Sequence, residues 1–256
     1  MGAERAGAFA PGRVNLIGEH TDYNRGLALP FAIAAGVTVH ARAAGGEARS
    51  EQTISAYAGD LDERDEFALE HPQPADGWRA FVRGTVAELI RGGYALPGAR
   101  LEITGDVPQG AGLSSSAALE VALCLALSAL ATDTQIAPVD RLAIAKLCAR
   151  VENDWVGAHT GLLDQLASLY GAQDTALCID FATLEIEPVP LALEGWRLVI
   201  LDSGERHAHA SSGYNERRAE CAGACELLGI SSLREASLAA LAGLPEPLAR
   251  RAEHVL

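Results

Sequence analysis

Lysine is all but absent from this sequence: Lys146 is its only one, and every other basic residue is an arginine. Walker-type phosphate loops, G-x-x-x-x-G-K-[ST], depend on a lysine. Lys146 follows Ala143-Ile144-Ala145 with no glycine nearby, which excludes that site. The same run faintly echoes the lysine strand of protein kinases, but no H-R-D or D-F-G comes after it. Basic charge is scarce as well. The 20 basic residues face 34 acidic ones, for a net charge of −14. Nucleic acids and anionic membranes are held chiefly by basic patches, so neither is an expected partner. Cysteine is sparse and odd in number: Cys124, Cys148, Cys178, Cys221 and Cys225. Cys221 and Cys225 would share a helix face, but no second pair completes a zinc site. Free thiols in a reducing compartment are the expectation. Long apolar runs are missing too. Residues 117–131 are the most apolar stretch, yet they include Glu120 and fall short of the about 20 residues a membrane span needs. The opening Met1-Gly2-Ala3-Glu4-Arg5-Ala6 lacks the apolar core of a signal peptide, and Ala6 stands where myristoylation wants Ser or Thr. These absences predict a soluble, cytoplasmic protein.

What is present points to a folded chain. With 49% hydrophobic and 21% charged residues, its 256 residues suit one large domain or two small ones. Residues 27–33 and 36–41 read as strands bounded by glycine, and 44–77 as a surface excursion with short strands around Phe67. Residues 78–92 read as a helix with Trp78, Phe81, Val82, Val86 and Leu89 on one stripe. A strand at 101–104, a glycine–serine loop at 105–116 and a buried helix at 117–131 follow. Further helices are expected at 139–155, with Pro138 and Asp140 at its start, and at 161–170. Strands are expected at 176–181, 184–189 and 196–201, then helices at 214–228 and 247–256. The best boundary lies near Gly171, dividing the chain into 1–171 and 172–256. The final helix stops at Val255-Leu256 with no cap or polar tail, as in a fragment.

Four constellations could carry chemistry. Pro108-Gln109-Gly110-Ala111-Gly112-Leu113-Ser114-Ser115-Ser116 joins a strand to a buried helix. Its glycines admit a ligand to the backbone, and the helix N-terminus offers unpaired N–H groups to an anion such as phosphate. The same residues also suit a plain glycine turn with Ser114 or Ser115 as N-cap. Gly12 to Tyr23 crowds Arg13, Glu19, His20 and Asp22 beside strand-forming sequence. These groups could grip several hydroxyls of a polyol, with Arg13 facing a phosphoryl group; a polar hairpin or a metal site are the alternatives. Asp164, after Gly161-Leu162-Leu163, falls in the first turn of an apolar helix, where the dipole favours the carboxylate form. Finally, Asp202 to His209 precedes Tyr214, Arg217 and Arg218. His207 and His209 would share a strand face, which is half a metal site at most.

In this order, the four segments resemble one family. Gly12-Arg13-Val14-Asn15-Leu16-Ile17-Gly18-Glu19-His20-Thr21-Asp22-Tyr23-Asn24 is similar to the signature of galactokinases. Pro108 to Ala118 resembles the second motif of their superfamily, the galacto-, homoserine, mevalonate and phosphomevalonate kinases. Glu152 and Gly161 to Gln165 resemble the segment that bears the family's acidic catalytic residue. The resemblance implies an α+β fold of two domains. The first is like the second domain of ribosomal protein S5, and the second is ferredoxin-like and incomplete here.

It also implies roles. Glu19, His20 and Asp22 would bind sugar hydroxyls, with Gly161 and Tyr214 helping. Asp164 and Arg13 would be catalytic, Asp164 either as general base or only as an orienting group for the anomeric hydroxyl. Pro108, Gly110, Ala111, Gly112, Leu113, Ser114, Ser115 and Ser116 would wrap ATP, with Trp78 near the adenine. Ser116 and Glu152 would hold Mg2+. A monomer phosphorylating D-galactose at its anomeric hydroxyl is the implied enzyme. A galactose- and ATP-binding sensor, or a kinase for N-acetylgalactosamine, are the alternatives; the intact serine run favours the enzyme. Galactokinases are longer and carry a third, glycine-rich motif that nothing after Leu201 matches. The 256 residues alone are therefore expected to bind weakly and turn over little.

Overall fold

A computed structural model describes residues 3–45, 52–108, 110–131, 140–201 and 210–256, with side chains from residue 213 in the last stretch. The elements run β1 (Arg5–Asn15), β2 (Leu27–Ala28), β3 (Pro30–Ala43), β4 (Thr53–Ala58), β5 (Glu63–Ala68), α1 (Trp78–Arg91), β6 (Ala99–Gly105), α2 (Ser115–Leu130), α3 (Arg141–Arg150), α4 (Leu163–Tyr170), β7 (Thr175–Asp180), β8 (Glu185–Pro190), α5 (Ala210–Leu228) and α6 (Leu248–Val255). Eight strands form one mixed sheet of order β2-β7-β3-β6-β4-β5, with β1 added on β3 and β8 on β7. All pairings are antiparallel except β4 with β6. This is the α+β architecture expected.

The long strand β3 organises the sheet. Its N-terminal half pairs with the end of β1 and meets β7 at Phe31, while its C-terminal half pairs with the start of β1 and with β6. The two strands expected at 27–33 and 36–41 are thus one strand preceded by a short β2. Pro30, which has no N–H to donate, marks the break rather than Gly36. At Gly36 a Cβ would collide with the Ala10 carbonyl across the ladder, so the glycine permits close pairing instead of ending the strand.

Helix α2 is apolar nearly all round and lies on β1 and β3. Ala117, Ala118, Ala122 and Ala126 are all buried and let it approach closely, while Val121, Leu123, Leu127 and Leu130 fill the main core. Helix α1 reads as expected, and at Gly84 a Cβ would meet Trp155 and Val151, so this helix crosses close to the segment after α3. Buried Glu88 of α1 pairs with Arg150 of α3 at 2.7 Å.

Several boundaries differ from expectation. The helix expected at 139–155 is α3, capped by the Asp140 side chain on the Leu142 N–H, followed by a π-type turn at Val151–Val156. Such wide turns relax the backbone spacing and often sit at functional sites. Pro138 and Val139 lie outside the described residues. The strand expected at 196–201 has no strand partner among the described residues, and Trp196 is 82% and Leu201 87% exposed. Strand composition alone does not make a strand; a ladder neighbour does. The strands β7 and β8 follow Gly171 yet belong to the same sheet. After them, α5, α6 and the turns at Leu233–Glu235 and Leu238–Gly243 build a small separate core around Cys221, Ala224 and Leu233. Bidentate Arg234–Asp180 contacts at 2.7 and 2.8 Å tie that core to β7.

Leu123 sits fully buried at the centre of the main core. Leu123→Ala is expected to lower unfolding free energy by about 2–5 kcal/mol through lost burial plus a cavity. Urea denaturation followed by circular dichroism measures it, and a loss below about 2 kcal/mol, the bottom of that range, would contradict this packing.

Candidate active site

Strand β1 delivers Arg13 to the centre of the molecule. Gly12 makes this possible, because a Cβ there would strike the Leu113 carbonyl at 2.5 Å. The Arg13 backbone N–H donates to that same carbonyl at 3.1 Å. Its guanidinium then spans two segments. Nε donates to Asp164 Oδ1 at 2.6 Å, and Nη1 to the Gly112 carbonyl at 2.8 Å. Asp164 stands in the first turn of α4, as expected. Its second oxygen accepts from Ser114 Oγ at 2.5 Å.

The glycine–serine loop has two faces. Pro108, Gly110, Ser115 and Ser116 line a cavity of about 840 Å3, whose other walls include Trp78, Phe81, Val37, Ile103 and Leu119. Trp78 is anchored by an Nε1–H bond to Glu63 at 2.8 Å, and Arg79 stacks over its ring. The Gly112 and Leu113 carbonyls accept from Arg13, and the Ser114 hydroxyl donates to Asp164; Ala111 lies between the two sets in the chain. Ser114 occupies the N-cap position of α2 in a left-handed conformation, φ 56°, but makes no side-chain cap. Its hydroxyl is spent on Asp164, which leaves the first N–H groups of α2 without a side-chain cap. Gln109 lies outside the described residues.

Beyond Asp164 lies a polar pocket. Half-buried Asp22 accepts from the Tyr23 and Leu163 N–H groups. Gly161 passes so close that any Cβ would collide with the Asp22 carboxylate. His20, itself left-handed at φ 64°, shares a 2.7 Å hydrogen bond between its Nδ1 and the Tyr23 hydroxyl. The Tyr214 ring lies 5.2 Å from His20 and 5.7 Å from Tyr23. Glu19 is exposed at the rim and accepts from Asn15 at 3.0 Å. Burial, and then the neighbouring Asp164 charge, push the Asp22 carboxyl up to about 6. Burial, together with Arg251, His254 and Arg217, holds His20 below its usual range.

Glu152 is buried in the π-type turn, where its carboxylate accepts from Ser116, Thr160 and Gln165. A hydroxyl and a carboxylate in direct contact form an oxygen-only donor pair that fits a hard divalent cation completed by phosphate oxygens and water. Sequence reasoning missed Thr160 and Gln165. It also missed Asn215 and Arg218 of α5, which clasp residues 157–160. Asn215 bonds to the His159 N–H and Gly157 carbonyl, and Arg218 to the carbonyls of His159 and Thr160. Arg217, by contrast, pairs with Glu216 and Glu220 of its own helix. His207 and His209 lie outside the described residues. Cys221 and Cys225 pack into the small C-terminal core.

Comparison with known proteins agrees with this geometry. Residues 1–43 match the galactokinase galactose-binding signature, and residues 80–172 match the N-terminal domain of GHMP kinases. The chain is 46% identical over 258 residues to galactokinase from Mycobacterium tuberculosis, spanning 96% of this chain and 68% of that protein. Against galactokinase from Thermotoga petrophila the figures are 38% over 247 residues, 96% and 67%. Among solved structures, Lactococcus lactis galactokinase complexed with galactose superposes with a TM-score of 0.85 at 34% identity, covering 99% of this chain and 66% of that one. The chain thus spans about two thirds of the length of these relatives. Methanococcus jannaschii mevalonate kinase shares the fold, with a TM-score of 0.55 at 19% identity.

The raised Asp22 carboxyl has a measurable consequence. The folded chain binds this proton more tightly than the unfolded chain, so stability falls as pH rises from the ordinary value of 3.8 to about 6, then levels off. Asp22→Asn escapes that loss. Scanning calorimetry from about pH 4 to 8 is expected to show the melting-temperature difference growing in favour of the variant up to about pH 6. Parallel curves would contradict it.

Proposed function

This chain belongs to the galactokinase family, and on that premise we propose that it transfers the γ-phosphoryl group of ATP to the anomeric hydroxyl of D-galactose, giving α-D-galactose 1-phosphate and ADP at the head of the Leloir pathway. The observation that carries the proposal is the place of the Arg13–Asp164 pair. It stands where the glycine–serine loop, with its cavity on one side, meets the Asp22–Gly161–His20–Tyr214 pocket on the other. Phosphoryl transfer needs two substrates held on either side of a charge-stabilising group, and little covalent help from the protein.

In this reading the sugar hydroxyls are gripped by Asp22, His20 and Glu19. Gly161 leaves room beside Asp22, and Tyr214 covers the pocket. Asp164 accepts the hydrogen bond of the anomeric hydroxyl, orients it, and takes its proton as the new O–P bond forms and the bond to ADP breaks. Arg13 fixes the Asp164 carboxylate and offers its positive charge to the phosphoryl group in transit. Trp78 flanks the adenine, while Pro108, Gly110, Ala111, Gly112, Leu113, Ser114, Ser115 and Ser116 enclose the phosphates, the residues after Pro108 offering backbone N–H groups. Ser116 and Glu152 would hold Mg2+, which when bound would neutralise phosphate charge. The proposal extends to a monomer working in the cytoplasm. Among the described residues no helix is long and apolar enough to cross a membrane. It also takes 1–171 as the substrate-binding domain and 172–256 as part of a second, β7 and β8 joining it to the first sheet.

Galactose-dependent release of ADP from Mg-ATP tests the reaction, and saturation-transfer NMR of galactose tests binding on its own. Asp164→Asn is expected to cut turnover by about 100-fold or more, the scale of a lost acid–base group, while galactose binding persists. Near-normal turnover in that variant would make Asp164 a helix-end residue only.

At Gly112, φ is +72° and a Cβ would point into open space. Gly112→Val therefore strains the backbone without clashing, at about 1–3 kcal/mol, and narrows the approach of phosphates. Isothermal titration is expected to show nucleotide affinity at least about tenfold weaker, in line with that strain; unchanged affinity would remove the loop from the nucleotide site.

A further inference from the structure

Glu120 and Gln165 are fully buried side chains that face each other from α2 and α4. Gln165 Nε2 lies 3.0 Å from Glu152 Oε2 and 3.5 Å from Glu120 Oε2. Its amide nitrogen therefore has an acceptor for each of its two hydrogens. Rotating the amide by half a turn would set its oxygen 3.0 Å from Glu152 Oε2, acceptor against acceptor, so the Glu152 contact fixes the orientation. Two atoms remain without a partner: Glu120 Oε1 and Gln165 Oε1, both enclosed. Both are acceptors, and a buried polar atom left unpaired costs about 1–3 kcal/mol. One proton satisfies both.

We propose that Glu120 is a carboxylic acid paired with the Gln165 carboxamide in a ring, the acid O–H donating to Gln165 Oε1 and the amide N–H donating to Glu120 Oε2. The second amide hydrogen is then committed to Glu152. Glu120 is a positioning residue: it never reaches the substrates, but it sets the plane of Gln165, which orients the Glu152 carboxylate. This last consequence rests on the reading of Glu152 as a cation ligand; the pair itself does not.

The surroundings favour the neutral acid. Burial is the largest influence on Glu120, followed by the Glu152 carboxylate from the π-type turn, the Cys124 thiol of its own helix, and then Asp164 from α4. Only the Gln165 hydrogen bond opposes them among the leading influences, and none of these is a cation. All of this raises the Glu120 carboxyl well above the usual range. A carboxamide has the same shape as the acid and can make the same ring, its N–H2 replacing the acid O–H.

The test compares the full chain with Glu120→Gln and Glu120→Ala. Infrared difference spectra at pH 8 are expected to show a protonated-carboxyl C=O band in the wild type, shifted in D2O and absent from Glu120→Gln. That variant is expected to melt within about 3 °C of the wild type. It should also bind manganese with adenylyl-imidodiphosphate, read by electron paramagnetic resonance, within about twofold, whereas Glu120→Ala binds at least about tenfold more weakly, the scale of an outer-shell loss. No protonated-carboxyl band, or a Glu120→Gln variant that fails to fold or binds manganese tenfold worse, would overturn the pair. A band present in a wild type that binds no manganese–nucleotide supports the pair and overturns the kinase reading instead.

Discussion

The Arg13 guanidinium is the joint on which the candidate site turns. Strand β1, the glycine–serine loop and helix α4 are remote in sequence, and Arg13 touches all three. Its planar fork supplies donors in fixed directions, so one side chain can hold a carboxylate and a carbonyl at once. A lysine would offer the charge without the fixed geometry. The joint also depends on the missing side chain at position 12, since any Cβ would push β1 away from the loop.

Around this cation the site gathers carboxyl groups. Asp22 is raised by burial and by Asp164, Glu152 by burial and by Asp164, and Glu120 by burial and by Glu152. Each therefore bears on the next. Such crowding is costly in an empty site, and on the proposed function a divalent cation and the hydroxyls of a sugar would relieve it. The stability that the folded chain gives up to Asp22 and its neighbours is the physical form of a site shaped for ligands rather than for itself.

What could be read in advance was what lies contiguous in the chain. Arg13 to Asp22 and Pro108 to Ser116 are compact runs whose residue types announce their chemistry. The helices α1 and α2 were legible from their apolar spacing. Glu152 and Asp164 gained meaning only from the family resemblance, because alone they look like ordinary helix-end acids. The interplay of Glu120 with Gln165 was invisible, since it depends on how α2 crosses α4. Glu120 in an apolar helix was nevertheless a signal, and it served only to argue against a membrane span. Gly36 misled because glycine ends a strand as readily as it permits close pairing. Residues 196–201 misled because β-propensity says nothing of a neighbour.

The tryptophans divide this molecule optically. Trp78 stands at the wall of the large cavity with its ring nitrogen tied to Glu63, Trp155 packs over Gly84 where α1 crosses the π-type turn, and Trp196 is 82% exposed. Three environments give three emission components of different colour and different access to quencher. Iodide reaches Trp196 freely and can silence it, leaving the light of the two sheltered rings. Of those, only Trp78 lines the large cavity, so the chain carries its own spectroscopic gauge of that cavity without any label.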